Sequence, residues 1–467
     1  MSRNYNKISI YLLVVLFTCN LKAQQLPSKS EILSKLKLGN EYWMSVNPGY
    51  GNNQWARSVY YIGNTEFYKI YPNDMYKQYT ENWCKLNNWS LNGGTQARNA
   101  DNQTCGQVYF DLYMMDSIKQ DAKIVAITSS INNMANSNIS TDWWWIDALF
   151  IAMPVFTRFG IQSADTVYLN RMHQLYKHTK DSLALYNYSK GLWYRDASFK
   201  PPYSTKDGED SFWSRGNGWV IAAHARVLEL LPANNPHRNE YVQTFQQMAA
   251  ALKIRQRSDG FWNPSLEDPN EFSGPETSGT AFFTFAIAWG VNNHLLDSAE
   301  YHPTLVKAWD ALSNTALQSN GFLGYVQGVG ASPAQAYANV TQDSGVGAFL
   351  LASSELLKMT KGELPEPGNF YIKSVNVIDK THLSIYFSKP TDTTTAFQTE
   401  NYVLSNEISI LRITKGANYS TLLINCSELD LGKYQLSARW LHRCHNNCRS
   451  SREKRTIPTE KRIEELA

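Results

Sequence analysis

The chain has 467 residues, of which 43% are hydrophobic and 13% aromatic, and its formal net charge is +3. This length and apolar content suffice for a large buried core and favour more than one domain. The positive charge comes from the two ends, since residues 1–23 carry three basic residues and no acid, and residues 439–467 carry eight Lys and Arg against four Glu. The rest of the chain carries a net charge of about −4, which argues against nucleic-acid binding because that requires a basic face on the folded domain.

The first 23 residues have the features of an export signal. Arg3 and Lys7 precede an apolar stretch at residues 8–17, and the sequence LKA ends at residue 23. The apolar stretch is too short to span a membrane as a lasting helix. Cys19 could be read as a lipidated cysteine, but the residues before it fit such a cleavage site poorly. We therefore predict an exported protein, periplasmic or extracellular, without a membrane span.

Six cysteines are scattered along the chain without the dense spacing of a disulfide framework. We expect Cys84 and Cys105 to be reduced core residues, with a disulfide between them as the alternative. Near the C-terminus stands a loose cluster of two cysteines and two histidines, His442, Cys444, His445 and Cys448. Its spacing and polar surroundings do not match a structural zinc site, so we expect neither a metal nor a cofactor.

Apolar residues recur at helical spacing from residue 28 to about residue 361, with almost no clear strand. Twelve helices are predicted, at residues 28–44, 55–70, 75–89, 102–118, 120–136, 145–159, 164–186, 216–231, 237–255, 278–291, 302–318 and 343–361. Twelve helices in roughly 330 residues fit six helical hairpins closed into a ring. A helical solenoid is the alternative, but no fixed-period repeat is present.

The pattern changes beyond the helices. Residues 362–369 contain prolines and glutamates typical of a linker, and short alternating runs then predict a small antiparallel β-sandwich at residues 370–438. Strands are expected at 371–377, 382–387, 401–404, 409–414, 420–424 and 433–438. The basic, polar tail at residues 439–467 is expected to be disordered. A truncated final strand would have the same composition, so the sandwich could be incomplete. The predicted catalytic domain covers residues 24–361.

A single carboxylate stands inside an unusually apolar stretch, TDWWWIDALFIAMPVFTRFG, at residues 141–160. Thr141 or Asp142 can cap a helix here, which would place Asp147 one turn inside it. An ionised carboxylate in such surroundings needs a partner or a function. Taken alone, the pattern fits equally a functional acid and a buried Asp satisfied by backbone amides or an Arg.

Two other junctions between a loop and a helix carry polar residues. In ARNADNQTCGQVYFDLY, Asp101 precedes a predicted helix, and its ordinary role would be that of an N-cap. In DSFWSRGNGWV, Arg215 stands between Trp213 and Trp219, and its planar fork suits a carboxylate that approaches past the neighbouring glycines. The alternative is a buried ion pair between core tryptophans.

A third junction, PETSGTAF, opens a strongly apolar helix. We expect Thr277 or Ser278 to be its cap and Glu276 to favour the helix N-terminus. In a closed helical ring, the starts of alternate helices lie on one face. Carboxylates, an arginine and several indoles from these junctions can then surround one pocket.

The motifs WWWIDALFIAMPVF, FWSRGNGWV and PETSGTAF, in this order, resemble those of the unsaturated rhamnogalacturonyl hydrolases, glycoside hydrolase family 105. The resemblance runs from about residue 55 to residue 359 and does not reach the C-terminal strands. It implies an (α/α)6 barrel that removes a 4,5-unsaturated uronic acid from the non-reducing end of oligosaccharides left by polysaccharide lyases. The expected partners are therefore unsaturated uronyl oligosaccharides, galacturonyl or glucuronyl.

The resemblance also implies roles for individual residues. Asp147 matches the general acid/base, and Asp101 matches the second carboxylate of the pocket. Arg215 matches a position that binds the sugar, on its carboxylate. The substrate-binding tryptophans are expected to be Trp144, Trp145, Trp213 and Trp219.

The mechanism that the resemblance implies is hydration of a vinyl ether. The acid protonates C4, water adds at C5, and the resulting hemiketal opens to release the sugar. Burial among Trp143, Trp145 and Phe150 would raise the pKa of Asp147, as this chemistry requires. A nearby Asp101 carboxylate would act in the same direction, whereas a helix N-terminus would lower that pKa.

The chain departs from the resemblance in GLWYRDASFKPPY, where some members have a histidine and this sequence has Arg195 and Asp196. The contacts beyond the cleaved bond, and rhamnose as the neighbouring sugar, are therefore open. One alternative function is a saturated-sugar hydrolase or a sugar epimerase on the same barrel, although only His224 lies near a motif. Another is a non-catalytic carbohydrate-binding surface protein.

Overall fold

The computed structural model describes residues 25–364, 372–387, 391, 393–417, 420–430, 434–438 and 459–463. The predicted export signal with Cys19 lies outside this part of the chain, as does the cluster of cysteines and histidines at 442–448. The proposed domain boundaries stay predictions. Among the described residues, none of the helices combines the length and apolar character that crossing a membrane requires.

Residues 25–364 contain the twelve predicted α-helices. Their bounds are α1 Lys29–Val46, α2 Trp55–Ile70, α3 Asp74–Leu86, α4 Cys105–Met115, α5 Val125–Ala135, α6 Asp147–Gln162, α7 Thr166–Lys177, α8 Ser214–Leu230, α9 Arg238–Lys253, α10 Thr277–Asn292, α11 Ser298–Asp310 and α12 Asp343–Met359. Polar caps fix several of these starts. Ser28 and Glu31 form a reciprocal capping box on α1, and Asn73 and Asp165 accept first-turn amides of α3 and α7.

The even-numbered helices form a closed inner ring. Each packs against the next, from α2 through α4, α6, α8 and α10 to α12, and α12 packs back against α2. The odd-numbered helices form the outer layer, each against an inner neighbour or another outer helix. This closure confirms the (α/α)6 barrel and excludes the solenoid, in which the first and last repeats do not meet.

The inner helices are apolar on nearly every side because they face both the barrel centre and the outer layer. In α10 every residue from Thr277 to Val291 is buried, whereas the outer α9 buries less than half of its residues. A helix that is hydrophobic all round belongs in a core, and a one-sided helix covers it. The distribution of apolar residues therefore distinguishes the inner helices from the outer ones.

The prediction of one long helix at residues 164–186 is wrong in its second half. After α7 ends at Lys177, one π-helical turn follows to Ser182, and the chain then forms a two-stranded hairpin. Its strands, β1 Tyr186–Asn187 and β2 Leu192–Trp193, pair antiparallel. The intervening Gly191 has a φ of +68°, a left-handed conformation that favours glycine.

The C-terminal segment forms two antiparallel sheets with a separate hydrophobic cluster. The strands are β3 Ile372–Asp379, β4 His382–Phe387, β5 Tyr402–Leu404, β6 Ile410–Lys415, β7 Thr421–Cys426, β8 Tyr434–Ala438 and β9 Thr459–Ile463, with a short helix α13 at Thr393–Ala396. The sheet orders are β3-β4-β7-β6 and β5-β8-β9. Strand β9 comes from the tail expected to be disordered, and that expectation is wrong for these five residues because they pair with β8.

The cysteines of the barrel are reduced, as expected. Cys84 and Cys105 are both buried and free, which excludes the alternative of a disulfide between them. Burial raises the pKa of each thiol, so both remain protonated and act as small apolar core residues.

The ring closes where two glycines bring α2 and α12 into direct backbone contact. A Cβ on Gly63 would overlap the carbonyl oxygen of Gly347, and one on Gly347 would overlap that of Val59. Backbone atoms cannot move aside as a flexible side chain can. The two glycines therefore set the distance between the first and last inner helices.

We expect Gly63→Ala to destabilise the barrel by about 1–3 kcal/mol, because the added methyl group overpacks this contact. Thermal unfolding followed by circular dichroism would measure the change. Gly49→Ala is the matched control, since nothing lies within 4 Å of the corresponding Cβ. Equal melting temperatures for the two variants would contradict the close-contact argument.

Candidate active site

The predicted site residues lie at one end of the barrel. The inner helices run in the same direction, because each pair is separated by one outer helix that returns the chain. Asp101 precedes α4, Asp147 opens α6, Arg215 lies in the first turn of α8, and Glu276 precedes α10. The connections at this end are the long ones, whereas α2 and α3 at the other end are joined by three residues. The predicted polar site residues therefore lie at the end of the barrel that has the long connections.

A backbone contact between two connections places Asp147. Trp145 forms an antiparallel bridge with Asp196, and the amide of Ile146 donates to the carbonyl oxygen of Arg195 at 3.0 Å. The three tryptophans are therefore extended and not helical, and α6 begins at Asp147 itself. The expected cap was wrong: Asp142 instead forms an ion pair with Arg98.

The carboxyl group of Asp147 is largely buried but reaches solvent, with 14% of its side chain exposed. Its Oδ1 is buried and has no hydrogen-bond partner among the described residues. Burial raises the pKa of Asp147 to about 6, against the opposing positive charges of Arg195 and Arg215. The negative charges of Asp101 and Asp196 add to the rise. This carboxyl group can therefore hold a proton near neutral pH.

Arg195 is the site residue that the sequence analysis did not assign. Its Nε lies 4.0 Å from Oδ1 of Asp147, and its Nη1 donates to Oδ2 of Asp196 at 2.6 Å. Its guanidinium carbon lies 5.3 Å from the ring centroid of Trp144, a cation–π distance. Its position opposite Asp147 depends on the bridge between two distant connections, and no local pattern in the sequence indicates that pairing.

Asp101 is not a helix cap, and its role as a carboxylate of the pocket stays a prediction. The cap of its 3-10 turn is Asn99, whose side chain accepts from the Asp101 amide at 2.8 Å. The carboxylate of Asp101 makes no hydrogen bond to any described residue. Burial raises its pKa, and the nearby Arg195 charge opposes this rise. Asp101 and Asp147 therefore both lie near enough to Arg195 for its charge to lower their pKa values. The charge of Asp101 in turn raises the pKa of Asp147.

Arg215 is fully buried and holds a loop. Its Nη1 and Nη2 donate to the carbonyl oxygens of Gln327 and Gly328 at 2.7 and 2.8 Å, and the guanidinium stacks on Trp213 at 4.5 Å. Its Nε has no partner among the described residues, and its charge lowers the pKa of Asp147. Arg215 therefore lies near enough to Asp147 for its charge to act on the acid. Its contact with a sugar carboxylate stays a prediction.

The four predicted tryptophans differ in exposure. Trp144 is 50% exposed and packs on Trp145, which is almost buried. Trp213 and Trp219 are each 1% exposed. Neighbouring side chains cover the rings of Trp213 and Trp219. Contact of these two rings with a sugar stays a prediction, and it requires one ring face to become accessible.

Packing partners explain the burial of these indoles. Trp219 lies against Phe150 and Phe282, and Trp213 donates its Nε1 proton to the side chain of Gln327 at 3.0 Å. Trp143, expected beside Asp147, packs edge-on against Phe156 further along α6. An aromatic wall beside the acid stays a prediction.

Glu276 is itself the cap of α10. Its carboxylate accepts from the amides of Ser278 and Gly279, and its Oε1 also accepts from the amide of Gln327 at 3.2 Å. The expectation that Thr277 or Ser278 is the cap was wrong, because the longer Glu side chain reaches both first-turn amides. Glu276 and Arg215 together hold the loop at Gln327 against the site.

The arrangement suits acid catalysis on an anionic ligand. The carboxyl group of Asp147, with a pKa of about 6, lies within the electrostatic influence of Arg195, Arg215 and the carboxylates of Asp101 and Asp196. Among the described residues no group of three His, Cys, Asp or Glu side chains could hold a metal ion. Proton transfer and charge complementarity are the chemistry that these side chains can supply.

Comparisons with known proteins identify the family of this chain. The model for Glycosyl Hydrolase Family 88 matches residues 33–360. The unsaturated 3S-rhamnoglycuronyl hydrolase of Formosa agariphila is 34% identical over 359 residues, which cover 73% of this chain and 94% of that protein. The solved structure of a family 88 glycosyl hydrolase from Bacteroides vulgatus is 36% identical, with a TM-score of 0.68, and covers 71% of this chain and 99% of its own.

The resemblance to family 105 is supported in part, by a likeness of fold. A family 105 glycoside hydrolase from C. acetobutylicum shares the fold, with a TM-score of 0.57, 20% identity and coverage of 69% of this chain and 98% of its own. The family model that matches over most of the chain is nevertheless that of family 88. The protein belongs to glycosyl hydrolase family 88 and is a glycoside hydrolase built on a helical barrel.

Proposed function

We propose that this hydrolase releases a 4,5-unsaturated uronic acid, galacturonyl or glucuronyl, from the non-reducing end of oligosaccharides produced by polysaccharide lyases. The relative from Formosa agariphila is named for unsaturated rhamnoglycuronyl substrates, which supports this substrate class. The observation that carries the proposal is the buried carboxyl group of Asp147, whose pKa is raised to about 6 although the charges of Arg195 and Arg215 oppose the rise.

The pKa of Asp147 fits a reaction that begins with protonation of a carbon–carbon double bond. An acid with an ordinary Asp pKa would be almost fully ionised near neutral pH, whereas Asp147, with a pKa of about 6, keeps a protonated fraction. Its buried Oδ1 has no competing hydrogen bond among the described residues. The proton is thus available to a ligand in the pocket.

In the proposed reaction Asp147 transfers its proton to C4 of the unsaturated ring, and C5 becomes an oxocarbenium centre. Water then adds at C5 and returns a proton to the carboxylate, which leaves a hemiketal. Opening of the hemiketal gives a ketone at C5 and a hemiacetal at C1, and the hemiacetal breaks down to release the remaining oligosaccharide. One water is consumed, and the acid is regenerated.

The two arginines complement the charges of this reaction. The uronate carboxylate carries one negative charge, and Arg215 is the predicted partner of that group. Arg195, whose Nε lies 4.0 Å from Oδ1 of Asp147, opposes the rise in the pKa of the acid. Asp101, as a second carboxylate, raises the pKa of Asp147 and can accept a hydrogen bond from a sugar hydroxyl.

The structure excludes His224, the one histidine near a motif, as the base of a sugar epimerase. His224 is completely buried in α8, where Nδ1 lies 2.7 Å from the Val220 carbonyl oxygen and Nε2 lies 3.2 Å from the Tyr176 hydroxyl. Burial lowers the pKa of His224 to about 4. It is a satisfied core residue, so it does not serve a pocket. A saturated-sugar hydrolase remains an outcome of the test below.

Incubation with lyase-generated oligosaccharides is expected to remove the ultraviolet absorbance of the conjugated double bond. Asp147→Asn should slow this loss by about 10²–10⁴-fold, the usual contribution of a general acid. Asp74→Asn, an exposed exchange in the first turn of α3, is the matched control and should retain full activity. Cleavage of saturated oligosaccharides with no preference for the double bond would refute the proposal.

The pH dependence should follow the charges around Asp147. With the acid active in its protonated form, kcat/KM should fall as pH rises through about 6. Asp101→Asn removes a charge that raises the pKa of Asp147 and should move this limb to lower pH. Arg195→Met removes a charge that lowers the pKa and should move it to higher pH. Shifts of the same sign in both variants would contradict the electrostatic assignment.

We also propose that the protein is exported, on the basis of the basic, apolar and small-residue pattern in its first 23 residues. Expression of the full chain in a Gram-negative host should yield a mature protein that begins near Gln24 in the periplasmic fraction. Mass spectrometry of that fraction would measure the N-terminus. A full-length protein confined to the cytoplasm would contradict export.

A further inference from the structure

We propose that three exposed aromatic side chains, Tyr203, Phe272 and Tyr337, bind sugar rings beyond the one next to the cleaved bond, so that longer oligosaccharides are better substrates than a disaccharide. We call these three side chains the aromatic rim. This inference rests on the proposed function and adds the length of oligosaccharide that the site accepts. None of the three residues belongs to the motifs from which the site residues were predicted.

The aromatic rim lies at the end of the barrel that carries the acid. Tyr203 lies in the connection before α8, Phe272 in the connection before α10 and Tyr337 in the connection before α12. The exposed fractions of these side chains are 44%, 36% and 58%. Three connections at one end of the barrel therefore each present an accessible aromatic ring to solvent.

Hydrogen bonds join these three connections into one continuous surface. Asn270 donates its Nδ2 proton to Oδ2 of Asp207 at 3.0 Å, which links the connection before α10 to the connection before α8. Gln335 donates its Nε2 proton to the carbonyl oxygen of Ser273 at 3.1 Å, which links it to the connection before α12. Phe272 lies between these two contacts along the chain and is the central member of the rim.

The backbone holds Phe272 and Tyr337 in defined positions. Phe272 has a φ of +69°, a left-handed conformation that is uncommon for a bulky side chain and that the surrounding contacts must maintain. The carbonyl oxygen of Tyr337 accepts hydrogen bonds from the amides of Tyr325 and Val340 at 2.9 and 3.1 Å. Rings that are presented from an ordered backbone lose little conformational freedom when a ligand binds.

The same contacts connect the rim to the active site. The Tyr325 amide that binds Tyr337 lies two residues before Gln327, whose carbonyl oxygen accepts a hydrogen bond from Arg215 at 2.7 Å. Tyr337 and the loop held by Arg215 therefore belong to one ordered connection. The position of the rim is thus fixed relative to the site.

The chemistry of the rim suits a sugar chain better than a protein partner. Polar side chains, Asp207 and Asn270 on one side of Phe272 and Gln335 on the other, join the connections that carry successive rings. A protein partner would favour one contiguous apolar patch. A sugar chain offers apolar ring faces for stacking and hydroxyl groups for hydrogen bonds with such polar side chains.

The direction of the substrate agrees with this assignment. In the proposed reaction the unsaturated sugar is terminal, so every further sugar must extend from the acid toward solvent at this end of the barrel. The hydroxyl groups of Tyr203 and Tyr337 make no hydrogen bond to any described residue, and they remain available to a ligand.

The test compares unsaturated oligosaccharides of two, four and six sugars, prepared by lyase digestion of the polymer whose disaccharide the wild-type protein cleaves fastest. We expect kcat/KM to increase with length by about 2- to 10-fold for each ring that stacks on a sugar, mainly through a lower KM. Calorimetric titration of Asp147→Asn with the same oligosaccharides measures the preference as binding, without turnover.

Phe272→Gly is the sharpest variant, because glycine favours a φ of +69° and the exchange removes the ring without adding backbone strain. We expect Phe272→Gly and Tyr337→Ala each to lower the ratio of kcat/KM for the hexasaccharide over the disaccharide by about 2- to 10-fold. Tyr386→Ala is the matched control, since it removes a 40% exposed tyrosine from strand β4 of the C-terminal sheets, and it should keep the wild-type ratio.

The outcomes separate this inference from the proposed function. Equal wild-type activity on all three lengths overturns the aromatic rim and leaves the proposed function intact. A length preference that persists in both rim variants, or that falls equally in Tyr386→Ala, also overturns it. Self-association of the wild-type protein that is lost in Tyr337→Ala, without any effect of length, would assign the rim to a second copy of this chain. Absence of wild-type activity on every unsaturated oligosaccharide refutes the proposed function itself.

Discussion

The active site depends on one short backbone contact between two connections that are fifty residues apart. The bridge between Trp145 and Asp196, with the hydrogen bond from Ile146 to Arg195, holds the connection before α6 against the connection before α8. Because of this contact, residues 143–145 are not helical and α6 begins at Asp147. The same contact places the Arg195 guanidinium beside the acid. Without this contact the acid and its nearest cation would belong to independent loops.

A balance of opposing electrostatic effects then sets the state of the acid. The start of a helix and two guanidinium groups favour the ionised form of Asp147, whereas burial and two neighbouring carboxylates favour the protonated form. Burial is the largest of these effects, and the resulting pKa is about 6. The site therefore combines positive charges for an anionic ligand with an acid that still retains a proton.

A second set of contacts fixes the loop at Gln327. Arg215, Trp213 and Glu276 all bind the loop at Gln327, through two carbonyl oxygens, a side-chain oxygen and a backbone amide. The glycines in these motifs serve packing: a Cβ on Gly279 would overlap the Ser214 side chain. Residues that resemble ligand contacts in the sequence thus also hold α8, α10 and the loop before α12 together.

The sequence by itself determined the twelve helices and the candidate residues Asp101, Asp147 and Arg215. These follow from local periodicity and from motifs of a few residues. Only the tertiary structure decided the caps at Asn99 and Glu276, the hairpin after α7, strand β9 and the position of Arg195 beside Asp147. Each of these depends on an exact start of an element or on a contact between distant segments. The pKa of Asp147 belongs to the same class, because burial and through-space charges are properties of the assembled barrel.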